Sequence, residues 1–115
     1  MNHKAIILVL SIICLVSVVS AATLHVPGDY TTIQAAINAA HDGDIVEIAA
    51  GTYTGGDNIN LDPLGKAIVI QGAGIDQTII DAELNGRCIH IHNGELHDTV
   101  IENITFRNGF TEFGG

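Results

Sequence analysis

An all-β solenoid, built of short parallel strands stacked coil upon coil and closed at its start by an N-terminal capping α-helix, is the fold class this sequence predicts. Three observations lead to it. The runs Ile45-Val46-Glu47-Ile48, Ala67-Ile68-Val69-Ile70 and Cys88-Ile89-His90-Ile91 recur at offsets of 22 and 21 residues, and self-similarity at a fixed period in this range marks repeat architectures. A second set, Ile59-Asn60-Leu61-Asp62, Thr78-Ile79-Ile80-Asp81 and Thr99-Val100-Ile101-Glu102, follows the first at 14, 11 and 11 residues. Gly51, Gly72, Gly74, Gly86, Gly94 and Gly109 fall between the runs, where sharp reversals favour residues that tolerate positive φ.

Stacking is the physical reason for such a repeat, because a single coil of short strands cannot bury its own apolar face. Each strand would pair with its equivalent one coil on, roughly 4.8 Å away, so that equal positions form columns. Strand alternation then predicts Val46, Ile68 and Ile89 in one inward column, Ile48, Ile70 and Ile91 in a second, and Leu61, Ile80 and Ile101 in a third. Glu47, Val69 and His90, and next Ala49, Gln71 and His92, point outward. A β-sandwich also spaces strands and turn signals at short intervals; the registered columns favour the solenoid.

Residues 1–22 stand apart from this pattern. A basic opening (His3, Lys4), an apolar stretch from Ala5 to Val19 and the small residues Ser20, Ala21 and Ala22 have the layout of a signal peptide cleaved after Ala22. The apolar stretch is short for a membrane span. The expectation is an exported protein, secreted or held at the cell surface, with no membrane span after cleavage.

The chain has 13 Asp and Glu against 4 Lys and Arg, a formal net charge of −9, and removing the leader takes away Lys4 as well. Nucleic acid is excluded as a partner, since it requires clustered Lys and Arg to displace counterions. An anionic polysaccharide would be repelled unless a cation bridged it. Of the 2 cysteines, Cys14 lies in the leader, so Cys88 has no intrachain partner and stability must come from packing.

Thr23-Leu24-His25-Val26 alternates as a lead-in strand, and Pro27-Gly28-Asp29 turns it. Thr31-Thr32-Ile33-Gln34 has the spacing of a capping box between Thr31 and Gln34. Ile33, Ala36, Ile37 and Ala40 then form one apolar helical stripe, and Gly43 is placed to end the helix in a left-handed conformation. A short helix here is positioned to cover the open end of the stack.

With helix and runs in place, the strings Val26-Pro27-Gly28-Asp29-Tyr30-Thr31-Thr32-Ile33-Gln34-Ala35-Ala36-Ile37, Gly43-Asp44-Ile45-Val46, Gly51-Thr52-Tyr53, Lys66-Ala67-Ile68-Val69-Ile70-Gln71-Gly72 and Thr78-Ile79-Ile80-Asp81 resemble the N-terminal part of right-handed parallel β-helix proteins of the pectin lyase-like superfamily. The opening looks most like the start of pectin methylesterases and of secreted β-helix repeat proteins. The resemblance implies a right-handed parallel β-helix and an association with carbohydrate. In the esterases two aspartates, an arginine and glutamines act on later coils, and in related lyases calcium-binding carboxylates and a basic residue do so. No stretch here matches those motifs, so no catalytic, cofactor-binding or metal residue is assigned.

Several constellations remain as candidates for chemistry. Cys88, His90 and His92 alternate on one expected outer face with ligand types suited to zinc or copper, Gln71 or His97 being the nearest fourth ligand; a merely polar outer face is favoured. Asp62, Asp81 and Glu102 occupy equivalent positions after the third column, and a stack of them would repel or invite calcium, whereas exposed acids at turns are favoured. Asn103-Ile104-Thr105 is an N-glycosylation sequon. Asn85, Asn93 and Asn108 neighbour glycines and suit left-handed turns. Gly55-Gly56-Asp57-Asn58 interrupts the repeat as a loop that either builds a site or is a plain surface tip.

The sequence is therefore expected to comprise a leader, residues 1–22, and a domain portion, residues 23–115, formed by the cap and first coils of a longer protein. Two functional classes stay open. One is a non-catalytic extracellular or surface protein that binds polysaccharide or cell-surface glycan; the other is a carbohydrate-active enzyme of pectinesterase or polysaccharide-lyase type with its catalytic coils elsewhere. The absence of either catalytic motif favours the first.

Overall fold

The computed structural model describes residues 20–92 and 98–110. Most of the expected leader lies outside the described residues. Among the described residues, short runs rich in Ile, Val and Thr form strands β1 (Thr23–Val26), β2 (Ile45–Ile48), β3 (Gly51–Thr54), β4 (Val69–Gly72), β5 (Thr78–Asp81), β6 (Val100–Glu102) and β7 (Thr105–Arg107), with one helix, α1 (Ile33–Ala39), and a single 3-10 turn, Gly56–Asn58. All pairing is parallel. One sheet has the order β1-β2-β4-β6 and the other β3-β5-β7.

This arrangement corrects the all-β right-handed parallel β-helix. The described residues form a small α/β unit of two parallel sheets and one helix, and their strands do not follow a fixed repeat. Successive partners in the larger sheet lie 22, 24 and 31 residues apart, from Thr23↔Ile45, Ile45↔Val69 and Val69↔Val100. In the smaller sheet the separations are 27 and 26, from Gly51↔Thr78 and Ile79↔Thr105.

The expected columns are accordingly broken. Ile48 faces Gly72, not Ile70, and Ile91 is exposed outside both sheets. The column that does form is Leu24, Val46, Ile70 and Ile101. Leu61, Ile80 and Ile101 belong to three separate pairings: Leu61 makes an isolated parallel bridge to Ile89, Ile80 lies between Tyr53 and Phe106, and Ile101 follows Ile70. The reason is that Val100-Ile101-Glu102 takes the place beside β4 that the 22-residue spacing assigns to Cys88–Ile91. Ile101 completes an apolar column there, whereas an outward pair of imidazoles would occupy the other face.

The core is nevertheless made of the aliphatic residues that the pattern points inward. Val46, Ile48, Leu61 and Ile80 are fully buried, and α1 contributes Ile33, Ala36 and Ile37 at the same depth. Burying such a side chain stabilises by about 1.5–3 kcal/mol. Two residues, Thr78 and Gly72, fix how the sheets meet. Thr78 is completely buried, accepts the Ala73 N–H at 2.8 Å and donates toward the carbonyls of Ile48 and Ala49. Gly72 lies so close to the turn between β6 and β7 that a Cβ there would stand 2.3 Å from the Asn103 carbonyl oxygen.

Helix α1 is capped differently from the Thr31–Gln34 box. Thr32 is the N-cap, its hydroxyl accepting the Ala35 N–H. Gln34 instead reads the backbone of Asp62, accepting its N–H at 2.8 Å and donating to its carbonyl at 2.9 Å. The Gly55–Asn58 insertion also turns out to serve the helix, because Asn58 Oδ1 accepts the Ile33 N–H. At the other end the helix stops at Ala39, with Ala40 extended. Lys66 Nζ donates to the carbonyls of Ile37, Asn38 and Ala40 at 2.7, 2.9 and 2.7 Å, satisfying acceptors that a helix end leaves open and placing a cation at the negative end of its dipole. Gly43 does adopt positive φ, +92°, in the turn beyond.

Two substitutions test this account. Gly72→Ala forces the Asn103 carbonyl away and is expected to cost about 1–3 kcal/mol, read as a lower urea midpoint; an unchanged midpoint would refute the close approach. Lys66→Met keeps the side-chain length but removes the cap, with an expected loss of about 1–2 kcal/mol and weakened amide-exchange protection in α1.

Candidate functional site

The best-furnished surface lies on neither sheet but on the chain segments beside the Leu61–Ile89 bridge. The Asn60 N–H donates to the Arg87 carbonyl at 2.6 Å and Asn60 Oδ1 accepts the Arg87 N–H at 2.9 Å. The His90 N–H donates to Leu61 O at 2.8 Å, and the Phe110 N–H to Gly86 O at 2.7 Å. Asn60 accepts this geometry by taking a left-handed backbone, φ 51°, which Asn tolerates better than most residues. Between these segments opens a cleft of about 330 Å³ lined by Asn60, Asp62, Gly86, Arg87, His90, His92 and Phe110.

Its chemistry is concentrated in three side chains. His92 Nε2 lies 2.9 Å from Asp62 Oδ2, and the rings of His90 and His92 stack with centroids 4.4 Å apart and planes 24° from parallel. The Leu64 N–H, first, and then the His92 contact hold the Asp62 carboxyl below its ordinary value despite the opposing effect of burial. Asp62 is therefore an anion at neutral pH and can only accept, so the 2.9 Å contact is a donation from His92 Nε2. Arg87 brings a guanidinium to the same cleft and Phe110, 54% exposed, an apolar ring.

The sequence candidates are redistributed. Cys88 does not share an outer face with the histidines: it is buried, with Sγ 3.6 Å from the Ile80 carbonyl oxygen and 3.4 Å from that of Arg107. Residues 88–92 do not form a regular strand, so alternation fails there. Gln71 sits in β4, opposite Glu47 and Glu102; His97 lies outside the described residues. No group of three or more His, Cys, Asp or Glu side chains among the described residues is arranged to hold a metal ion.

The three carboxylates expected to stack are also separated. Asp62 faces His92, Asp81 accepts Arg107 Nε and Asn108 Nδ2, each at 2.9 Å, and Glu102 lies exposed opposite Gln71. Asn103 of the sequon is left-handed, φ 58°, and the Thr105 hydroxyl is engaged by the Ile75 carbonyl. Asn108 is left-handed too, φ 55°, while Asn93 lies outside the described residues. Sequence reasoning missed Asn60, Arg87 and Phe110, and the Asp62–His92 pair. The usable signal was the 28-residue separation of Leu61 and Ile89, which a search for a 22-residue period passes over.

A second cleft, about 290 Å³, lies on the other side of segment 86–92 against Phe106, Arg107 and Asn108. It contains the buried Cys88 thiol and the Arg107 guanidinium already engaged by Asp81. Its fewer available polar groups make it the poorer candidate. Among the described residues no helix is long and apolar enough to cross a membrane.

Acid sensitivity follows from the paired carboxylates. The N–H groups of Ala22 and His41 hold Asp44 below its ordinary value, and Asn108, the Glu83 N–H and Arg107 do the same for Asp81. Groups with a depressed folded pKa stabilise fully above the unfolded value and lose that contribution as pH falls through the folded one. The urea midpoint is therefore expected to be flat above about pH 5 and to drop below about pH 4. In Asp81→Asn the neutral-pH midpoint should be lower and the acid drop shallower; a wild-type midpoint independent of pH across that window would overturn the assignment.

No protein-family model, curated protein or solved structure matches this chain.

Proposed function

We propose that the protein is a non-catalytic extracellular module that binds a neutral glycan in the Asn60–Asp62–Arg87–His90–His92–Phe110 cleft. The observation that supports this reading is the combination within one cleft of planar hydrogen-bonding groups and an exposed aromatic ring. A sugar presents vicinal hydroxyls at its edge and C–H groups on its face. Asp62, Asn60 and Arg87 line the cleft with acceptors and donors for such hydroxyls, and Phe110 offers a flat apolar surface. The volume, about 330 Å³, suits one or two sugar rings, at the small end of ligand clefts.

Charge selects within the class. The chain carries a formal charge of −9, so a polyanionic glycan meets repulsion over most of the surface, and the single guanidinium of Arg87 does not offset it. The extracellular setting rests on the leader-like composition of residues 1–22 and belongs to the same proposal.

An array of neutral and acidic oligosaccharides, probed with the full chain in the presence of EDTA, tests it. Binding to neutral glycans is expected, weakened about tenfold or more by Phe110→Ala and by Asp62→Ala, each worth roughly the 1–2 kcal/mol of a lost stacking or charged hydrogen-bond contact. No binding to any glycan would sink the proposal, as would binding that both variants retain. Release of methanol or uronic acid from pectin would replace it with the enzyme reading.

A further inference from the structure

We propose that Asn85–Gly86 is a site of spontaneous deamidation, where loss of ammonia puts a carboxylate and an isoaspartyl linkage beside the Asn60–Arg87 cleft. The chain contains three Asn–Gly dipeptides, 85–86, 93–94 and 108–109, of which the first and last are among the described residues. These two differ at the groups that the reaction joins, the carboxamide carbon and the N–H of the following glycine. Asn85 is exposed in the turn after β5, where Glu83 and Leu84 are both left-handed, φ 52° and 60°, and its own N–H donates to the Ala82 carbonyl at 2.8 Å. Among the described residues its carboxamide meets no hydrogen-bond partner, and neither does the Gly86 N–H. No bond has to be broken before the two approach. Asn108, by contrast, donates Nδ2 to Asp81 Oδ1 at 2.9 Å, and its backbone carbonyl accepts the Leu84 N–H at 2.9 Å.

The chemistry needs only water. The Gly86 nitrogen, its proton passed to a solvent base, attacks Asn85 Cγ; the Cγ–Nδ2 bond breaks, the side-chain nitrogen leaves as ammonia and a five-membered succinimide closes. Water then opens the ring at one of its two carbonyls, giving aspartate at position 85 or an isoaspartyl linkage in which the chain runs through Cβ and Cγ. Nothing is oxidised or reduced, and either product gains one negative charge. Glycine favours the attack because no Cβ hinders its nitrogen, and the cleft requires glycine there: a Cβ at position 86 would stand 2.5 Å from Asn60 Oδ1. Packing therefore fixes the susceptible pair in place. The isoaspartyl form adds one backbone atom directly before Gly86, whose carbonyl accepts the Phe110 N–H at 2.7 Å, and before Arg87, which is bonded both ways to Asn60. Deamidation does not depend on what the cleft binds, so this inference and the glycan reading can fail separately.

The test is to age the full chain in warm, mildly alkaline buffer and follow each Asn–Gly peptide by mass spectrometry, where deamidation adds about 1 Da, with chromatography separating aspartyl from isoaspartyl forms. In the folded chain, conversion at Asn85 is expected to be at least about tenfold faster than at Asn108, the effect of one charge-assisted hydrogen bond that must break first. In concentrated urea, where that bond is gone, the two rates should agree within about threefold. Asn85→Gln, which would have to close a larger ring, should block conversion at this site and leave the urea midpoint unchanged. The isoaspartyl fraction should lose amide-exchange protection at Phe110. No conversion at Asn85 while the unfolded chain converts, equal folded rates at Asn85 and Asn108, or an isoaspartyl form with Phe110 protection intact would overturn the inference.

Discussion

The missing side chain at Gly72 is the constraint on which the rest of the arrangement depends. A Cβ there would lie 2.3 Å from the Asn103 carbonyl oxygen and 2.8 Å from Ile104 Cγ1, so the turn joining β6 to β7 can approach the end of β4 only because position 72 is glycine. That approach brings Val69–Gln71 into register with Val100–Glu102 and, after the turn, Ile79–Asp81 with Thr105–Arg107. Once β6 holds the place beside β4, the described segment 86–92 belongs to neither sheet. Part of it runs alongside Asn60 and Leu61 instead, and this is how two histidines come to face Asp62.

Charge is handled by separation. An excess of carboxylates packed in columns would cost stability through mutual repulsion, yet Asp44, Asp62 and Asp81 each sit among donors of their own. Asp44 takes the N–H groups of Ala22 and His41 at 2.9 and 2.8 Å, Asp62 takes Leu64 and His92, and Asp81 takes Glu83, Arg107 and Asn108. No buried side-chain nitrogen or oxygen among the described residues lacks a partner. The Asp44 contacts also draw Ala22, expected from sequence as the last leader residue, into the fold: its N–H goes to Asp44 and its carbonyl accepts the Ile45 N–H.

Much of the local structure was legible because it depends on neighbours in sequence. Period-two alternation marked Thr23–Val26 and Ile45–Ile48 as strands, and Ile33, Ala36 and Ile37 as the buried stripe of a helix, because those periods decide which face meets the core. Register was not legible. The apolar runs Cys88–Ile91 and Val100–Glu102 are equally good partners for β4 by composition, and the choice between them is made by Gly72 meeting Asn103, a contact between residues that no local pattern relates. The fixed-period reading fails at that choice. With it goes the shared outer face of Cys88, His90 and His92, since Cys88 turns into the core as soon as residues 88–92 cease to be a ladder strand. The cleft was illegible for the same reason, because Asn60, Asp62 and Phe110 reach it through pairings 24 to 30 residues apart, as in Phe110 N to Gly86 O and His92 to Asp62.

The stiffness of the cleft follows from what stands behind it. Helix α1 has an apolar face in the core, and from its exposed side Gln34 grips both backbone groups of Asp62 while Asn58 Oδ1 takes the first free N–H of the helix. Residues 58–62 are thereby tied to a helix whose Ile33, Ala36 and Ile37 are fully buried. The opposite wall is tied to them in turn by the reciprocal Asn60–Arg87 bonds, at a point where a Cβ on Gly86 would lie 2.5 Å from Asn60 Oδ1. The floor is thus held by backbone hydrogen bonds and close contact, and the freedom that remains belongs to the imidazole, guanidinium and phenyl groups at the rim. A site built this way loses little backbone entropy on binding, which is the condition under which a few side-chain contacts yield measurable affinity.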